Sequence, residues 1–224
     1  MSTLTKVKKM ETKISEFNFG IFDVHGTLLD NLRLYRVFLR AASTFIIRNG
    51  EPYLPTAGMP VPCWVETLCN SPSLVWVTLR IEKVLAIFFE SIATPNPKLF
   101  EGAREVLLQL YNNGIKLFAT TGGKTSTTEA KLKKLGINDF FLGLSGRELP
   151  KREHIPYFAR CLDLPLKKFS QQAFLVSDGS VDLALAKKYG VYGIGITNTL
   201  TPALLRAAGA KEVITNLREL RLKH

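Results

Sequence analysis

The chain has 224 residues and 46% apolar content, enough for one good-sized domain or a domain carrying an inserted module. Its 30 basic and 19 acidic residues leave a net charge of +11, which admits an anionic substrate, nucleic acid or an acidic surface as partner. The basic residues are scattered pairs, such as Lys133-Lys134 and Lys187-Lys188, without interleaved aromatics, which argues against nucleic acid, and the three cysteines form neither a disulfide framework nor a metal spacing.

The cysteine usage fits a cytoplasmic, reducing setting. Met1–Ser15 reads as a loose basic tail, and Met1–Lys13 lacks the apolar core of a secretory signal. Phe17–Phe22 is a predicted strand, ending on Asp23. A helical pattern follows from about Leu28 to Asn49, closed by Gly50. Residues 51–62 hold four prolines and Gly58 and read as an irregular linker. A second helical region covers about Leu74–Ile92; Arg80, Glu82 and Lys83 interrupt it, which excludes a membrane span there. Cys63, Trp64 and Cys69 read as packing residues.

After Pro97 the pattern alternates. Helices are predicted at Glu101–Asn112, Ser126–Leu135, Arg152–Leu162 and Val181–Tyr189, with another opening at Thr201-Pro202 and stopping at Gly209. Strands are predicted at Ile115–Ala119, Phe140–Leu144, Ala173–Val176, Val191–Ile196 and Val213-Ile214, before a last segment at Leu217–Leu222. Strands alternating with helices imply an α/β fold with a parallel sheet and right-handed crossovers. The segment between Tyr35 and Ala93 breaks that alternation and reads as a helical module inserted after the first strand.

An open parallel sheet presents its reactive groups outside the carboxyl ends of its strands. Asp23 follows the first strand, Thr120-Thr121-Gly122-Gly123 the second, and Ser177-Asp178-Gly179-Ser180-Val181-Asp182 a later one; Lys151 opens a helix that reaches the same edge. Each has an ordinary reading alone. Asp23 or Thr121 caps a helix, Lys151 is a solvated helix start, and Asp178 and Asp182 are acids favoured by a helix dipole. Together they form a set of carboxylates, a hydroxyl and a lysine at one edge. Clustered carboxylates repel unless a cation lies between them, and Mg²⁺ suits oxygen ligands and phosphate. Gly122-Gly123-Lys124-Thr125 is not a phosphate-cradling P-loop, because Phe118 stands where that motif needs its first glycine.

On these motifs the chain resembles the haloacid dehalogenase superfamily. Asp23-Val24-His25-Gly26-Thr27-Leu28 is similar to its Asp-x-Asp-Gly-Thr-Leu motif with one change. Thr121-Gly122-Gly123 is similar to the Ser-Gly-Gly of its phosphoserine phosphatases, which selects Thr121 over Thr120. Lys151, with Tyr157 six residues on, matches the third motif, and Asp178 and Asp182 the fourth, with Ser177 in place of glycine. The ending from Leu204 to Ile214 also looks like the family's.

The resemblance implies a Rossmann-like core over residues 1–30 and 96–224 and a helical cap over 31–95. It implies a Mg²⁺-dependent hydrolase of a small phosphorylated metabolite, with Asp23 as the nucleophile. Asp178 and the main-chain carbonyl of His25 would join Asp23 on the metal, and Thr121, Gly122 and Lys151 would hold the phosphoryl group. Asp182 would support the metal or Lys151. His25 departs from the family's second aspartate. It either replaces that acid–base group or marks a phosphate-binding or regulatory protein with impaired hydrolysis. Asp178 argues against dehalogenation. His154 reads as structural.

Overall fold

The computed structural model describes residues 14–30 and 97–220. The expected helices over 31–49 and 74–92, the linker over 51–62, and Cys63, Trp64 and Cys69 lie outside those residues. So does most of the expected basic tail. Its end is not loose, however: Ile14–Glu16 form a 3-10 turn and Ile14 is fully buried.

Six strands form one parallel sheet: β1 (Phe19–Asp23), β2 (Lys116–Thr120), β3 (Phe141–Ser145), β4 (Ala173–Ser177), β5 (Tyr192–Ile196) and β6 (Glu212–Ile214). Their spatial order is β3-β2-β1-β4-β5-β6. The chain moves outward from β1 to β3, then returns to place β4 against the other side of β1. The order reverses between β1 and β4, where an open α/β sheet forms its binding crevice.

The helices are α1 (Ala103–Asn112), α2 (Thr125–Lys134), α3 (His154–Cys161), α4 (Leu166–Gln171), α5 (Ser180–Tyr189) and α6 (Pro202–Ala208). Both faces of the sheet are buried. Phe22, Leu117, Ala119, Phe174 and Val176 pack on one side with Val106, Leu107 and Leu110 of α1. Phe19, Ile21, Phe118 and Leu175 pack on the other with Phe158 of α3, Phe169 of α4 and Leu183 of α5. This is the near-continuous apolar strand expected of a sheet covered twice.

Three details differ from the sequence expectations. Residues 28–30 do not begin a helix; Leu29 instead forms an antiparallel bridge with Leu99. The third predicted helix starts as a 3-10 turn, Lys151–Glu153, before α3. Helix α4 was not expected. It has six residues and is held by tertiary packing, with Phe169 stacked on Phe19 at 4.9 Å between ring centroids.

Candidate active site

Side chains on a strand alternate between faces. Asp23 therefore shares its face with Phe19 and Ile21, Thr120 with Phe118, and Ser177 with Leu175, all on the side of α3 and α5. Register places Asp23 beside Thr120 across the β1–β2 pair. Thr121, one residue on, turns to the opposite side. That separation sorts the two threonines: Thr120 Oγ1 lies 2.6 Å from Nδ1 of His154, and Thr121 Oγ1 lies 2.9 Å from Nδ1 of His25. Thr121 Oγ1 also accepts the amide hydrogen of Gly123 at 3.0 Å.

Lys151 joins the set from the 3-10 turn. Its ammonium donates to Asp23 Oδ1 at 3.2 Å and to Asp182 Oδ2 at 2.6 Å. Ser177 Oγ donates to the same Asp182 oxygen at 3.2 Å, so the serine in the glycine position gains a bond that glycine cannot make. Asp182 is thus turned to Lys151. Gly122 lies close by, its Cα side facing the Lys151 stem.

Asp178 is held from two directions. Thr27 Oγ1 donates to its Oδ1 at 2.9 Å and accepts from its amide at 3.0 Å. Thr199 Oγ1 lies 2.8 Å from Oδ2. Asn198, beside it, donates to the carbonyl of Gly26 at 2.8 Å. The sequence analysis does not single out Asn198 and Thr199, although they follow β5 at the same edge as Asp178 follows β4. Gly26 has φ +89°, and a side chain there would overlap the Asp178 carboxylate. Gly26→Ala should therefore cost about 1–3 kcal/mol of stability and displace Asp178. Denaturant unfolding and metal titration of that variant measure the two effects.

The electrostatics are uneven. Burial raises the Asp23 carboxyl well above its ordinary value, Lys151 opposes this, and Asp182 and Asp178 add to it. Burial also raises Asp178 to about 6, against the hydrogen bonds from Thr199 and Thr27. Burial works against the charge on Lys151, but Asp182 and Asp23 outweigh it and hold the lysine above its ordinary value. Burial, then Lys131 and Lys151, push His25 down to about 4, so its imidazole is neutral near pH 7.

Three buried carboxylates thus gather at one edge, and Lys151 pairs with two of them, Asp23 and Asp182, while Asp178 adds repulsion at Asp23. No group of three or more His, Cys, Asp or Glu disposed to hold a metal occurs among the described residues. A hard cation needs less. Two carboxylates, Asp23 and Asp178, with a main-chain carbonyl and water make an oxygen set of the kind Mg²⁺ takes, so the donors fit. No helix among the described residues is long and apolar enough to cross a membrane.

The sequence profile of the haloacid dehalogenase-like hydrolases matches residues 20–196. A protein of Caldanaerobacter subterraneus subsp. tengcongensis, provisionally named pyrophosphatase PpaX, is 24% identical over 188 residues, 81% of this chain and 82% of its own length. A haloacid dehalogenase-like family hydrolase from Streptococcus pneumoniae superposes with a TM-score of 0.64 at 24% identity, covering 92% of this chain and 97% of its own. A protein of Clostridium acetobutylicum described as a predicted phosphatase gives 0.67 at 20% identity, covering 92% and 97%. The solved structures share the fold, and the profile runs from β1 to the end of β5, taking in Asp23, Thr121, Lys151, Asp178 and Asp182. The chain belongs to the haloacid dehalogenase-like hydrolase family.

Proposed function

We propose that this protein is a Mg²⁺-dependent phosphatase of a small phosphorylated metabolite, working through a phosphoryl group carried on Asp23. The observation that carries this reading is Lys151, whose ammonium bridges Asp23 and Asp182 at the switch point of the sheet. A half-buried cation that touches the candidate nucleophile is placed to meet a phosphoryl oxygen as well.

An Asp23 carboxylate oxygen attacks phosphorus, forming the aspartyl-phosphate as the ester P–O bond breaks. The leaving oxygen takes up a proton. Water then attacks the same phosphorus, releasing inorganic phosphate and the Asp23 carboxylate. Lys151, the Thr121 hydroxyl and the backbone at Gly122 hold the phosphoryl oxygens as charge develops on them. Asp23, Asp178 and the His25 carbonyl would hold the divalent cation, which would supply charge neutralisation and keep both carboxylates ionised. Thr27 and Thr199 keep Asp178 turned to that place. Asp182 holds Lys151 extended.

Residues 31–95 are proposed to form a cap over this edge. The points where the chain leaves and returns lie side by side: Asp30 N donates to Lys98 O at 2.9 Å and Phe100 N to Leu28 O at 2.9 Å. An insert anchored there starts at the end of the loop that follows Asp23. A cap there would exclude water and set specificity.

The test is turnover of a panel of phosphorylated metabolites with and without Mg²⁺. Release of phosphate that needs Mg²⁺ is expected, and no release from any phosphate ester would defeat the proposal. Asp178→Asn should raise the Mg²⁺ concentration for half-maximal rate by about tenfold or more while the fold survives. An unchanged metal dependence would remove Asp178 from the ligand set. The chain's second reading, a phosphate binder with impaired hydrolysis, rests on His25 and is decided by the His25 variants below.

A further inference from the structure

We infer that His154 is a positioning residue that aims the Lys151 ammonium at Asp23. The inference rests on the reading of Lys151 as the phosphoryl-binding cation. The imidazole is 2% exposed and every polar atom on it is used. Nε2 lies 3.1 Å from the carbonyl of Gly146 and 2.9 Å from that of Leu149. Carbonyls only accept, so Nε2 carries the hydrogen. In the neutral ring Nδ1 is then the acceptor, and the Thr120 hydroxyl donates to it at 2.6 Å. Burial, the largest influence on this ring, favours that neutral form.

These three partners are the three pieces that locate Lys151. Thr120 is the register neighbour of Asp23. Gly146 and Leu149 bound the loop that delivers Lys151, and His154 follows Lys151 by one turn. The first half of that loop has its own ties: Arg147 N donates to Gly123 O at 2.8 Å, and Glu148 accepts from the amide and hydroxyl of Thr125. The second half has local backbone bonds, Leu149 N to Gly146 O and Glu153 N to Pro150 O, and His154 supplies its side-chain tie to β2. Thr120, Lys151, His154 and Asp182 also line one small cavity under the sheet edge. An apolar side chain of the same size would fill the space and lose both ties. The sequence marks His154 only as a helix residue, so its role becomes visible only when the loop and β2 are seen to meet on it.

The test uses the full chain with Mg²⁺, and two readouts: turnover of p-nitrophenyl phosphate and calorimetric binding of inorganic phosphate. His154→Phe should lower kcat/KM by about 10²-fold, the scale of a misplaced binding group, and weaken phosphate binding in step. The Mg²⁺ concentration dependence should stay unchanged, because Thr27 and Thr199 hold Asp178 independently. His154→Gln, which can still donate to Leu149 O, should recover most of the loss. In the Lys151→Met background His154→Phe should change phosphate binding less than twofold, since there is no ammonium left to aim; a general packing defect would act equally in both backgrounds.

His154→Phe with wild-type kcat/KM and phosphate affinity would overturn the inference, as would additive losses in the double variant. If His154→Phe does not fold, Thr120→Val removes the bond between β2 and His154 from the other end while leaving those to Gly146 and Leu149, and wild-type phosphate binding by that variant would overturn it as well. Lys151→Met with wild-type phosphate binding and turnover would instead defeat the reading of Lys151 itself.

Discussion

Asp23→Asn should stop turnover, with a loss of about 10⁴-fold or more, while leaving the fold intact. An amide oxygen is no nucleophile toward phosphorus, so neither half of the reaction can begin. The fold should tolerate the change because Asp23 is isosteric with asparagine and its neighbourhood already carries excess negative charge. Removing one carboxylate relieves the repulsion from Asp182 and Asp178, and Lys151 keeps its shorter ion pair, at 2.6 Å, with Asp182. The variant therefore separates binding from chemistry. It should still bind inorganic phosphate through Lys151 and Thr121, with Mg²⁺ affinity reduced by the lost ligand charge. Phosphate release near the wild-type rate would take Asp23 out of the mechanism. Acid-quenched wild-type enzyme mixed with substrate should carry phosphate on residue 23, and the variant should carry none.

The order of elements is legible because four of the five helix-to-strand junctions are punctuated by glycine; the junction of the unexpected α4 with β4, at Gln172, is not. Gly114, Gly136, Gly190 and Gly209 all have positive φ and close helices where the sequence placed the ends. Four of the six strand ends fall one residue beyond their predicted ends, while β5 and β6 stop where predicted. Periodicity stops counting at the last apolar residue, whereas the ladder continues through Asp23, Thr120, Ser145 and Ser177, whose backbones pair regardless of side chain. Those extra residues are the polar ones at the functional edge.

Asp23, Lys151 and Asp178 are legible from position, since each ends a strand, follows one or opens a helix at the same edge; Thr121 is separated from Thr120 only by the resemblance to the Ser-Gly-Gly motif. The roles of Thr27, Thr199 and His154 are not legible in this way. Each depends on a hydroxyl or ring meeting a group that is remote in sequence, as Thr27 and Thr199 meet Asp178. Asp182 illustrates the difference: sequence left it between metal and lysine, and the rotamer turns it to Lys151.

His25→Ala should slow turnover by about 10²- to 10⁴-fold, the usual span for a lost general acid–base group. The imidazole stands where the family's phosphatases place an aspartate, and its Nδ1 is 2.9 Å from the Thr121 hydroxyl. One ring nitrogen is thus engaged with the residue proposed to hold the phosphoryl group. Because burial keeps the ring neutral near pH 7, its other nitrogen is suited to take a proton from the attacking water, and the ring can give one to the leaving oxygen only in the fraction that is protonated. Leaving groups separate those duties. An alkoxide needs a proton as it departs, whereas p-nitrophenolate is stable as an anion. If His25 protonates the leaving oxygen, His25→Ala should penalise an alkyl phosphate much more than p-nitrophenyl phosphate. Equal penalties would confine His25 to activating water or orienting Thr121. His25→Asp should preserve or raise the rate on both, because it restores a carboxylate at that position. A wild type that binds phosphate but hardly turns over, together with a His25→Asp variant that does, would make the native protein a phosphate binder on a hydrolase scaffold. A His25→Ala variant as fast as wild type at every pH would end the case for a working histidine, because Thr121 and Lys151 would then hold the phosphoryl group without it.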